Sequence, residues 1–202
     1  MRILFLLFSL LASLQLFAQE EEILLMNGKR FMGSAIDTSG YKIIFDKYKG
    51  FERKKTKSYY RDEVFSINYL NIEEKVFFYP NPYFYDEYSI ENMRYVVYGR
   101  RDAREFYKTK WVLPVGFAIG AASALLMDGS IFVLLVPVVY TGIVQIPLVK
   151  IQKKSIASPD FIGNGFYAEG YDKSARIKRT KHALLSSATG LLTGLLINEL
   201  TN

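Results

Sequence analysis

The order of apolar and polar positions changes character several times along this chain. From Ile3 to Leu16 apolar residues run almost unbroken behind a single positive charge, Arg2, and the run ends at Ala18 before "QEEE". From 22 to 79 they come in short stretches: "EILLM", an Asn27-Gly28 turn signal, "FMGSAI", "DTSG" and "YKIIFDKY". A polar, basic excursion, "KGFERKKTK", then leads to "SYY", "DEVFSINYL" and "EEKVFFYP". Short apolar stretches punctuated by Asn-Gly and Asp/Ser/Gly clusters predict antiparallel strands. Five or six strands in this space predict a small all-β module over residues 20–80, either an SH3-like β-barrel or a β-meander.

The rhythm then shifts. Residues 81–88 complete an aromatic tract, "FFYPNPYFYDEY", broken by Asn-Pro. It reads as a linker whose rings pack on the strands or sit at lipid headgroup level, with a sugar- or partner-binding shelf as the alternative. Ser89 is a suitable N-cap for a helix in which Ile90, Met93, Val96, Val97, Ala103 and Phe106 recur near helical spacing. Arg100, Arg101 and Arg104 take the other face, and the helix is expected to run straight into the apolar stretch beginning at Trp111.

Three apolar segments follow: 111–127, 131–149 and 183–197. As helices they reach about 26, 28 and 22 Å, against a hydrocarbon core of roughly 30 Å. The first two carry no charge and are separated only by "DGS", which predicts a membrane helical hairpin within 89–149. Pro137 and Pro147 should kink its second arm. Residues 150–202 then read as a basic loop and helix followed by the last apolar helix. Gly116, Gly120 and Ala124 fall four apart, as do Gly190 and Gly194; such small-residue stripes let helix backbones approach closely in lipid. The fold class expected is α+β: the β module, the hairpin, and a long C-terminal basic and apolar helix.

Composition narrows the chemistry. Cysteine is absent and His182 is the only histidine, which excludes disulfides, thiolate metal sites and any site needing two imidazoles from one chain. Residues 1–18 have the layout of a secretory signal peptide and place the β module in a periplasm. The expected location is the cell envelope, in the inner membrane rather than the outer. Charge complicates this. Six Lys or Arg lie between Arg94 and Lys110 and eight between Lys150 and Lys181, on the side that export dictates and the positive-inside rule forbids. Arg100, Arg101, Arg104, Lys108, Lys110, Lys178, Arg179 and Lys181 are therefore candidate contacts to lipid phosphates, anionic lipids included; a merely solvated basic face is the alternative.

No catalytic constellation emerges. "GNGFYA", 163–168, matches a dinucleotide-binding pattern by letter but lacks the strand that must precede it, so a loop leading into a helix is the better reading. Asp62/Glu63 and Glu73/Glu74 are adjacent pairs that point to opposite sides of a strand. The expectation is a non-enzyme without cofactor or metal, whose partners are membrane lipids and either further copies of itself or an envelope protein, not nucleic acid. An accessory subunit of an envelope transport assembly is the alternative.

One internal echo stands out: Gly99 precedes "KTK" and an apolar segment, and Gly170 precedes "RTK" and another, both at an offset of 71. The layout as a whole, with "DAREFYK" before the hairpin and "YAEGYDKSARIKRTKHALL" before the last helix, resembles short envelope membrane proteins of Bacteroidetes-type Gram-negative bacteria. Ala103, Phe106 and Tyr107 match one motif of that family, and Tyr167, Gly170 and Tyr171 the other. The family has no assigned activity, so the resemblance implies an architecture and a location but no catalytic residue.

Overall fold

A computed structural model describes residues 21–48, 54–69, 74–80, 88–127, 130–151, 156 and 159–201. The chain divides into two compact units, Met1–Ile90 and Glu91–Asn202. The expected signal peptide lies outside the described residues, as does all of the aromatic linker except Tyr88.

The first unit is a six-stranded antiparallel sheet: β1 Glu21–Leu25, β2 Arg30–Asp37, β3 Lys42–Tyr48, β4 Lys54–Tyr60, β5 Val64–Asn68 and β6 Lys75–Val76. Turn chemistry sets the hairpins. Gly28 takes φ 79°, which costs a side-chain-free residue nothing, while Asn27 Oδ1 accepts from Lys29 N at 3.0 Å. At the next turn Asp37 Oδ1 accepts from the Ser39 amide and hydroxyl, and these bonds hold its carboxyl below the usual range. Strands β1 to β4 form a meander; β5 returns to pair with the free side of β1, giving the order β4-β3-β2-β1-β5-β6. Ile23, Leu25, Ile43, Phe45, Val64, Ile67 and Phe77 make the core. Glycine at 33 is required by packing, because a Cβ there would overlap the Asp46 carbonyl and the Phe45 ring.

The sheet is open, which corrects the expectation of a closed barrel. Closure would need β4 to pair with the opposite edge. That edge, β6, is only two residues long, and β4 presents Lys54, Lys55 and Lys57 to solvent. Those lysines belong to a strand rather than to a polar excursion: the ladder with β3 runs from Lys42↔Tyr60 to Tyr48↔Lys54. Asp62 and Glu63, read as the start of a strand, belong instead to a 3-10 turn, Arg61–Glu63, in which Glu63 Oε2 accepts from Tyr60 N.

The second unit is helical: α1 Ile90–Phe106, α2 Val112–Leu126, α3 Val136–Gln145 preceded by a 3-10 turn at Ile131–Leu135, and α4 Gly165–Thr201. One expectation changes here. The basic helix does not run on into the apolar one; the chain breaks at 107–111. Pro114 explains the break, since a proline suits the first turn of a new helix and would remove a hydrogen bond inside a continuous one. The long C-terminal basic and apolar helix expected from the sequence is present as one unbroken helix of 37 residues, about 55 Å long. Its apolar window has mean hydropathy 1.3, so α4 is long and apolar enough to cross a membrane, whereas α2 and 131–145 are shorter apolar helices.

Candidate functional site

Glycines draw α4 against both α1 and α2. A Cβ at Gly99 would overlap the Tyr167 carbonyl and lie 2.8 Å from the Tyr171 amide, and one at Gly170 would overlap the Val96 carbonyl. Further along, a Cβ at Gly120 would overlap the Ser187 carbonyl and one at Gly190 the Phe117 carbonyl. Gly116 faces Ser186 and the Tyr140 ring, Gly194 faces Ala121 and Ala124, and Ala124 is buried with Val133 and Leu191. Helix α4 therefore runs parallel to α1 and then to α2, each residue meeting one about 71 positions earlier. The offset read from the sequence echo is the packing register of the unit.

The two ends of this seam differ in chemistry. Around the first half of α4 the interior is aromatic and polar. Tyr167, Tyr171, Ala103 and Ala175 are fully buried, with Tyr95, Tyr98, Tyr107 and Phe161 against them. Asp102 is also fully buried; its Oδ1 takes the Arg101 Nε at 3.0 Å and its Oδ2 the Tyr167 hydroxyl at 2.8 Å. Burial, reinforced by the Asp102 carboxylate, pushes the Tyr167 phenol far above its ordinary value. Around the second half the contact between α2 and α4 is mostly small, Gly, Ala and Ser, with Leu191, Val133 and Tyr140 buried beside it and Ser187 Oγ donating back to the Ala183 carbonyl at 2.7 Å.

Between the halves lies a collar of basic side chains turned onto helix ends. Arg179, only 6% exposed, donates from Nη1 to the Val144 and Pro147 carbonyls at 3.0 and 2.7 Å. Its Nε and Nη2 reach the Tyr107 hydroxyl at 3.1 and 2.8 Å. Arg176 Nη1 donates to the Gln145 carbonyl at 2.8 Å while its Nε pairs with Asp172 at 2.6 Å. Lys178 Nζ donates to the Arg104 carbonyl at 2.7 Å, near the end of α1. The last carbonyls of a helix lack intrahelical donors and carry its negative dipole end, so α4 supplies the cations that α1 and α3 need there. Burial lowers the Lys178 ammonium and the Arg104 guanidinium from their ordinary values, Arg104 adding to the effect on Lys178. Thr109 is hydrogen-bonded to His182 Nδ1, and Gln145 to Thr180.

The eight basic residues picked out as lipid-phosphate contacts thus fall into distinct places. Arg179 and Lys178 are turned inward as caps. Arg101 pairs with Asp102 and lies 4.7 Å from the Tyr98 ring centroid. Arg100 and Arg104 are half-buried, whereas Lys108, Lys110 and Lys181 are exposed. Asp102 and Arg176 were not singled out by the sequence. Asp102 falls three positions after Gly99, on the helix face that meets α4. Among the described residues no group of three or more His, Asp or Glu is placed to hold a metal ion. "GNGFYA" spans the start of α4, where Asn164 Oδ1 accepts from Tyr167 N at 3.1 Å.

No family model, curated protein or solved structure matches the chain.

Proposed function

We propose that the chain is a membrane-anchored protein of the cell envelope, without catalytic chemistry of its own, whose β module meets a partner or surface and whose helical unit holds it in the bilayer. One observation carries this reading: the lower half of the helical unit is inside-out by the standards of a water-soluble core. Its seam is built mostly of Gly, Ala and Ser, with Leu191, Val133 and Tyr140 the larger side chains buried there. Large apolar side chains point outward on all three helices, among them Leu126 at 83%, Val138 at 62% and Leu185 at 63% exposed. Water-soluble monomers rarely present contiguous apolar surface on this scale. In hydrocarbon the arrangement is favourable, because close backbone contact drives helix association there and outward leucines cost nothing.

The resemblance to envelope proteins of Bacteroidetes-type bacteria and the signal-like residues 1–18 support placing the β module in the periplasm. Arg176, Lys178 and Arg179 are engaged with helix-end carbonyls but keep their charge, so the conflict with the positive-inside rule stands. Alkaline carbonate extraction of membranes from expressing cells tests the anchor. The chain should stay in the pellet and move to the supernatant only with detergent. Release by carbonate alone would overturn the reading.

A further inference from the structure

Apart from the caps, and from the cations beside the aromatic half such as Arg94, Arg101 and Lys173, four exposed lysines lie around the collar. The Thr109–His182 bond and the reach of Arg176 and Arg179 to 144–147 bring three segments together where the small-residue seam begins. Lys108 and Lys110 flank the first segment, Lys150 follows the second and Lys181 lies in the third; all four are exposed. Trp111 stands at this level too and is 81% exposed. Beyond it, toward the far end of the bundle, the outer surface is apolar. Indole rings settle at the boundary of hydrocarbon and headgroups, and lysines there extend their ammonium groups outward to the phosphates.

We infer that Lys108, Lys110, Lys150 and Lys181, with Trp111, form a headgroup belt that recruits anionic phospholipids around the bundle, while Arg176, Lys178 and Arg179 beside them serve only as caps. The inference rests on the membrane reading and names its lipid partner. Charge complementarity selects the occupant, since four ammonium groups on one rim attract lipids of net negative charge over zwitterionic ones.

Trp111 is the only tryptophan in the chain and so reports on its own surroundings. The full-length protein is reconstituted in phosphatidylcholine vesicles that contain equal mole fractions of phosphatidylglycerol and phosphatidylcholine brominated high on the acyl chain, one brominated at a time. Brominated phosphatidylglycerol should quench Trp111 about twofold more than brominated phosphatidylcholine. The combined change of Lys108, Lys110, Lys150 and Lys181 to Gln should equalise the two, and Lys178→Gln should leave the preference intact. Equal quenching in the unaltered protein would overturn the belt while leaving the anchor standing, and so would a preference that survives loss of the four lysines. Absence of quenching by either lipid would overturn both.

Discussion

Glycine at 120 and at 190 is a matter of backbone contact. A side chain at either position would have to displace a carbonyl of the facing helix, which cannot move without breaking its own ladder. Gly120→Leu and Gly190→Leu should each cost about 1–3 kcal/mol, read as a lowered thermal midpoint in detergent. Gly142 supplies the contrast: no atom lies within 4 Å of a Cβ built there, so Gly142→Leu should leave the midpoint unchanged or raise it. Spacing in the sequence located the glycines at 116, 120, 190 and 194. It could not say whether they face another helix of the same chain or a second copy, because identical stripes serve both.

Tyr167 belongs to this scale as well. Its folded-state proton affinity is raised by burial and by Asp102, so the folded chain keeps a proton that the unfolded chain loses above the ordinary phenol value of about 10. The contribution is complete below that pH, and stability should fall as pH rises above it. Tyr167→Phe should flatten this alkaline decline relative to the unaltered protein. It should also lower stability at neutral pH by about 1.5–3 kcal/mol through loss of the bond to the Asp102 carboxylate. Urea titrations at pH 7 and at pH 11 check both effects. Asp102 itself was hard to see in advance, because an aspartate among arginines looks like surface until its partner, 65 positions away, is known.

At the scale of elements, local rules carried part of the fold. Turn signals at Asn27-Gly28 and Asp37–Gly40 marked the first hairpins, and their alternating neighbours became β1, β2 and β3. Closure was not readable, since it depends on whether two edges distant in sequence match in length, and β6 is too short to match β4. The break between α1 and α2 was misjudged for a related reason. Composition changes in the same way after Lys110 and after Lys181, from basic to apolar, yet the backbone breaks at 107–111 and α4 runs unbroken through His182. Capping of α1 and α3 from the side of α4 was invisible for the same reason: a helix end is a local feature, but its cations come from another segment. Arg179→Met should remove the guanidinium's bonds to Val144, Pro147 and Tyr107 and cost about 2–3 kcal/mol. Hydrogen exchange should show the loss first at the C-terminal end of α3. Arg179→Lys should recover only part of it, since one ammonium cannot reproduce the planar fork.

For the whole molecule, the sequence showed an α+β chain with a small β module and apolar helices, and the structure adds how those helices share their surfaces. Small residues occupy the seam, arginine and lysine close it at one level, and bulky apolar side chains are left outside. Lipid contact along that exterior is the central claim, and because the chain has no cysteine, single reporters can be placed on it cleanly. Nitroxides attached at Val138→Cys and at Leu185→Cys, with Tyr41→Cys in the β module as a water-facing reference, can be compared in reconstituted vesicles by their collisions with oxygen and with a water-soluble nickel chelate. The account predicts that oxygen dominates at 138 and 185 and the nickel chelate at 41. Nickel access at 138 and 185 as high as at 41 would contradict it.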